Sequence, residues 1–92
     1  MTTENILRKY IKTCQHRDAA KARLADAEKK EELMQQGYDK HQDAEHLKYL
    51  RRAKYERQMT RQSWLRLDKE CRKARKRAIE ALQNEEKPSN IS

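Results

Sequence analysis

One glycine, Gly37, and one proline, Pro88, are the only strong backbone punctuation in 92 residues. Gly37 lies between two long segments whose apolar residues recur at alternating steps of three and four. That spacing marks a heptad seam along an α-helix. Two such stripes with one break between them predict an all-α fold. It is an antiparallel two-helix coiled-coil hairpin, one domain over residues 1–86.

The first helix is expected over about residues 3–36, with Thr2 or Thr3 as its cap and Glu4 favouring the positive end of its dipole. Its stripe is Ile6, Tyr10, Thr13, Arg17, Ala20, Leu24, Ala27, Glu31 and Met34. Gly37 then supplies the left-handed residue that ends many helices, with Tyr38 folding back on Leu33. The turn is expected over about 37–39, with Asp39 to Gln42 as a capping box for a second helix over about 40–84. The second stripe is Leu50, Ala53, Arg57, Thr60, Trp64, Leu67, Cys71, Ala74, Ala78 and Ala81. Pro88 ends that helix, and residues 87–92 read as a disordered tail.

Composition agrees with long solvated helices. The chain is 41% charged and 35% hydrophobic, against about 25% and 45–50% in an average domain. The charge is carried by helix formers, with little of the Pro, Gly and Ser that accompany disorder. Such a short chain gains stability from a partner or from self-association, so a homodimer, as a four-helix bundle, is one expected assembly.

A reversal at residues 37 and 38 makes facing residues sum to about 76. Leu24 then faces Leu50 and Ala53, Tyr10 faces Leu67, and Ile6 faces Cys71. His46 lies near Glu31, and Arg17 falls close to Arg57, a layer that needs splayed stems or a partner's acids. Helix 2 overhangs helix 1 beyond about Arg75, as a basic spur of roughly 15 Å. Cys14 lies about 13 Å along the axis from Cys71, too far for a disulfide, whose Cα atoms sit within about 7 Å.

The net charge of +8 is uneven. Residues 1–50 hold ten Lys and Arg against nine acids, whereas residues 51–77 hold twelve against three. The cations are Arg51, Arg52, Lys54, Arg57, Arg61, Arg66, Lys69, Arg72, Lys73, Arg75, Lys76 and Arg77. On a heptad wheel Arg52, Arg66, Lys69, Lys73 and Lys76 point away from the seam, and Arg51, Lys54, Arg61, Arg72 and Arg75 form a strip beside it. Rows of cations suit phosphates or an acidic protein surface, and Tyr49 and Tyr55 among them could stack on bases. The plainer reading is a solvated helix face. The basic stretch has none of the marks of a bZIP, helix-turn-helix or zinc-finger reader, so nucleic-acid contact would be directed at the backbone.

Leu7, Ile11 and Cys14 flank the first stripe and Leu65, Ile79 and Leu82 flank the second, more than one seam requires; with the seam residues Tyr10 and Trp64, the docking set is Leu7, Tyr10, Ile11, Trp64, Leu65, Ile79 and Leu82. They mark an expected partner interface, against the plainer alternative of a wide seam with some exposed Leu and Ile.

The sequence offers catalysis no foothold: it has no glycine-rich phosphate loop, no nucleophile elbow and no sheet to form a pocket. His16, His41 and His46 do not combine with the cysteines into a metal-ligand pattern, so neither metal nor cofactor is expected. The N-terminus lacks the marks of a secretory signal and no apolar run could span a membrane, which leaves a cytoplasmic location and no membrane partner as the expectation. The function that follows is a small non-enzymatic modulator or inhibitor that occupies the surface of a nucleic-acid-associated enzyme or complex. Its size suits an accessory factor carried by a phage or plasmid. The alternatives are a weakly sequence-specific nucleic-acid-binding homodimer and a structural coiled-coil adaptor.

Overall fold

A computed structural model describes residues 2–86, so the expected tail over 87–92 lies outside the described residues. The described chain is two helices, α1 (Thr3–His41) and α2 (Ala44–Glu86), folded back as an antiparallel hairpin. The molecule is a rod, with extents of 76 × 16 × 13 Å. No helix among the described residues is long and apolar enough to cross a membrane.

The seam follows the two stripes. Every stripe residue of both helices is buried or half-buried, and the most enclosed are Ala20, Leu50, Ala53, Cys71, Ala74 and Ala78. Small residues dominate that set because two helices in close approach leave little room between them. The hydrophobic contribution is spread thinly along the rod.

The reversal lies five residues later than the sequence suggests. α1 runs straight through Gly37, which has an ordinary helical φ, and ends on Gln42 in the left-handed conformation (φ 48°, ψ 38°). The Gln42 N–H donates to the Tyr38 carbonyl at 2.6 Å. One internal glycine costs a helix only about 1 kcal/mol. Continuing past it brings Tyr38, the next step of four beyond Met34, and His46 and Leu47 of α2 into half-buried positions. Lys40 also falls in the last turn of α1, where a cation suits the dipole.

Asp39 therefore does not cap α2. It lies inside α1 and accepts a hydrogen bond from Gln35 Nε2 at 2.8 Å. The cap is Asp43, whose Oδ1 accepts from the His46 backbone N–H at 2.8 Å. At the other end Thr2 Oγ1 accepts from the Asn5 N–H at 3.2 Å and caps α1. Leu33, expected beneath Tyr38, is instead an exposed residue.

Moving the reversal moves the register. Arg17 meets Asp68, Cys14 meets Cys71 and Lys30 meets Glu56. These pairs sum to 85 or 86, not 76. The same stripes thus zip together about nine residues out of the expected alignment. The basic overhang shortens with it: Arg75 lies beside Tyr10 on α1, and Ala78 is still covered. On this register only about the last turn of α2 projects beyond Thr3.

Candidate interaction surface

The two seam arginines do not share a layer. Arg57 forms an ion pair with Glu31, and both side chains are largely covered. Arg17 reaches Asp18 at 3.3 Å and Asp68 at 4.0 Å across the seam. Each cation has its own acid, so the polar layer needs no partner carboxylate. His46 does not meet Glu31. It lies at the reversal, 2.6 Å from Asp43 through Nδ1, and its ring stacks on His41 with centroids 4.4 Å apart.

Of the predicted cations, Arg57 alone turns into the seam. Arg51, Arg52, Lys54, Arg61, Arg66, Lys69, Arg72, Lys73, Arg75, Lys76 and Arg77 are all exposed. Among the described residues only Arg72 of these eleven has a carboxylate at salt-bridge distance, Asp68 at 3.1 Å. The positive charge of this face is thus nearly uncompensated within the chain. The field it projects is correspondingly strong near the helix and is screened by salt within about 10 Å at moderate ionic strength.

The predicted apolar residues divide. Tyr10 and Trp64 belong to the seam; Trp64 is half-buried, and its indole Nε1 is enclosed without a hydrogen-bond partner. Leu7 is half-buried on the flank. Ile11, Leu65, Ile79 and Leu82 are exposed, Ile11 to 56%. Leu65 lies fourteen residues before Ile79, about 20 Å along the helix, and so does not join the patch at the open end. On the heptad wheel Leu7, Ile11, Ile79 and Leu82 fall on one flank. Arg72 and Arg75 fall on that same flank, and with Lys76 and Ile79 they line a shallow hollow. Aliphatic surface and guanidinium groups are interleaved there.

The opposite flank has a different character. Arg23, Lys30, Tyr55, Glu56 and Met59 line an open groove. Tyr55 and Met59 are exposed, as is Tyr49, whose hydroxyl donates to Glu45 at 3.0 Å and whose phenol is held above its ordinary pKa by that bond.

Sequence reasoning missed a third cluster. Cys14 Sγ and Cys71 Sγ are 3.0 Å apart, and Arg17 Nη1 lies 3.3 Å from Cys71 Sγ. Both cysteines are free thiols. The expected 13 Å offset between them came from the misplaced reversal and vanishes in the observed register. Burial pushes the Cys71 thiol up from its ordinary pKa, the neighbouring Cys14 thiol adds to this, and the Arg17 charge opposes it. The signal was present in the sequence: a facing sum of about 85 aligns the two cysteines, sets Arg17 against Asp68 and brings Arg57 within about a turn of Glu31.

Among the described residues no three His, Cys, Asp or Glu side chains are grouped to hold a metal ion. The chain matches no protein-family model, and no curated protein or solved structure is significantly similar to it.

Proposed function

We propose that this chain is a small helical binding protein that modulates or inhibits a nucleic-acid-associated enzyme or complex by covering part of its surface. The observation that carries this reading is the exposed cationic face of α2, almost without internal partners, running into an apolar patch at the open end of the rod. Ile11, Ile79 and Leu82 would supply the apolar anchor, and Arg72 and Arg75 beside them would take carboxylates or phosphates. Central aromatic or aliphatic anchors ringed by charge are how compact interfaces gain affinity and orientation. The reading places the protein in the cytoplasm and gives it no catalytic role, because a rod two helices thick has no walls to surround a substrate.

The test is capture on the immobilised chain from an extract, with and without nuclease. A nucleic-acid-processing enzyme retained after nuclease treatment, and lost with Ile11→Asp/Ile79→Asp, supports the proposal. Retention that the double variant leaves intact, or no nuclease-resistant partner at all, contradicts it.

A second reading, direct binding of nucleic acid by a homodimer in a four-helix bundle, is favoured by Tyr49 and Tyr55, both exposed among Arg51, Arg52 and Lys54. It requires binding to random-sequence nucleic acid that falls steeply between about 50 and 200 mM salt. It also requires a doubled mass in solution.

A further inference from the structure

The structure assigns Cys14 and Cys71 as the site of an intramolecular disulfide that fastens the open half of the hairpin in register. The two sulfurs already touch at 3.0 Å from opposite helices, so bonding at about 2.05 Å needs only a small approach. The pair is 57 residues apart in sequence, with the reversal roughly midway between its members. A bond here therefore closes a long loop and removes much of the freedom of the unfolded chain. It acts where the fold most needs it, because two helices with no third layer have little to hold their free ends together.

The two thiols are not equivalent. Cys14 is half-buried at the flank, whereas Cys71 is 2% exposed. With a small-molecule disulfide such as oxidised glutathione, the accessible Cys14 thiolate attacks one glutathione sulfur. A mixed disulfide forms on Cys14 and the first glutathione leaves as its thiolate. Cys71 then loses its proton to solvent, and its thiolate attacks Cys14 Sγ and expels the second glutathione. The protein gives up two protons and two electrons, and one oxidised glutathione becomes two reduced ones. Arg17 Nη1, 3.3 Å from Cys71 Sγ, steadies the thiolate that makes the second attack. A dithiol reductant reverses the sequence.

The experiment incubates the purified full chain with oxidised glutathione and follows intact mass, free thiols and thermal melting. The expected product is a monomer lighter by two hydrogens, with no free thiol and no attached glutathione. Its melting midpoint should lie about 10 °C or more above that of the reduced chain and return on reduction. Cys71→Ser should stop at the mixed disulfide on Cys14. Cys14→Ser should react roughly tenfold more slowly, since its remaining thiol is enclosed. A wild-type product carrying two glutathiones, a disulfide-linked dimer, or an oxidised monomer that melts no higher than the reduced one would overturn the assignment. The wild-type result stands by itself if either serine variant fails to fold.

Discussion

Replacing Gly37 with alanine decides where the chain turns, because the two possible positions of the reversal predict opposite signs. Gly37 lies within α1 with a helical φ, and a Cβ built on it would meet only His46 Cδ2, at 3.4 Å, an ordinary contact. Glycine in a helix interior is about 1 kcal/mol less favourable than alanine. Gly37→Ala should therefore stabilise the hairpin by about 1 kcal/mol and raise its melting midpoint by about 4–8 °C. If Gly37 were the left-handed residue of the turn, a Cβ there would cost about 1–2 kcal/mol and the midpoint would fall. Thermal and urea denaturation followed by far-ultraviolet circular dichroism measures the difference directly. Gln42→Gly is the companion, since Gln42 carries the positive φ. Relief of that strain should outweigh the added freedom of the unfolded chain, for a net gain of up to about 1 kcal/mol. A destabilised Gly37→Ala together with an indifferent Gln42→Gly would refute the turn described above.

Three further outcomes follow from the same geometry. The Asp43 carboxyl is held below its ordinary pKa, first by the backbone N–H of His46 and then by its ring. The charged cap contributes fully above the unfolded-chain value of about 4 and is lost as pH falls through the lower folded value. Asp43→Asn keeps a capping oxygen but no charge, so its midpoint should fall less steeply with acid than that of the wild type; identical acid limbs would contradict the cap. Glu31→Gln leaves Arg57 half-buried without its acid and should cost about 1–2 kcal/mol in urea titrations. Replacing both residues with leucine should recover most of that loss, and a neutral Glu31→Gln would show that the pair does not form. Trp64, the single tryptophan, has an indole N–H enclosed in the seam. Its fluorescence should shift to the red on unfolding, and a folded-state emission already typical of solvent-exposed indole would place it outside.

The stripes were legible in the sequence because apolar spacing on a helix depends only on its pitch. Ile6 to Met34 and Leu50 to Ala81 all face the seam as read. The reversal was not legible from local signals. Gly37 and Gln42 differ as turn residues by about 1 kcal/mol, and Asp39 and Asp43 cap equally well in isolation. The choice is made by contacts distant in sequence, where Tyr38 and Leu47 extend the seam and Arg17 and Arg57 find separate acids. A five-residue error at the turn became a nine-residue error in alignment, because moving the turn lengthens one helix as it shortens the other and so counts nearly twice. That error concealed the cysteine contact and exaggerated the overhang. The cationic face was readable regardless, since heptad position sends Arg52, Arg66, Lys69, Lys73 and Lys76 outward in either register.

Alignment of the two helices is the claim on which the surface map rests, and paired spin labels measure it most directly. In a Cys14→Ser/Cys71→Ser background, one label replaces Lys12 and the second replaces either Lys73 or Arg66, all outward positions on the same side of the rod. A facing sum of 85 puts residue 73 opposite residue 12 and residue 66 about 10 Å further along, so the 12–73 distance should be the shorter. A shorter 12–66 distance would restore the reversal at Gly37 and contradict the arrangement of cations and apolar groups described here.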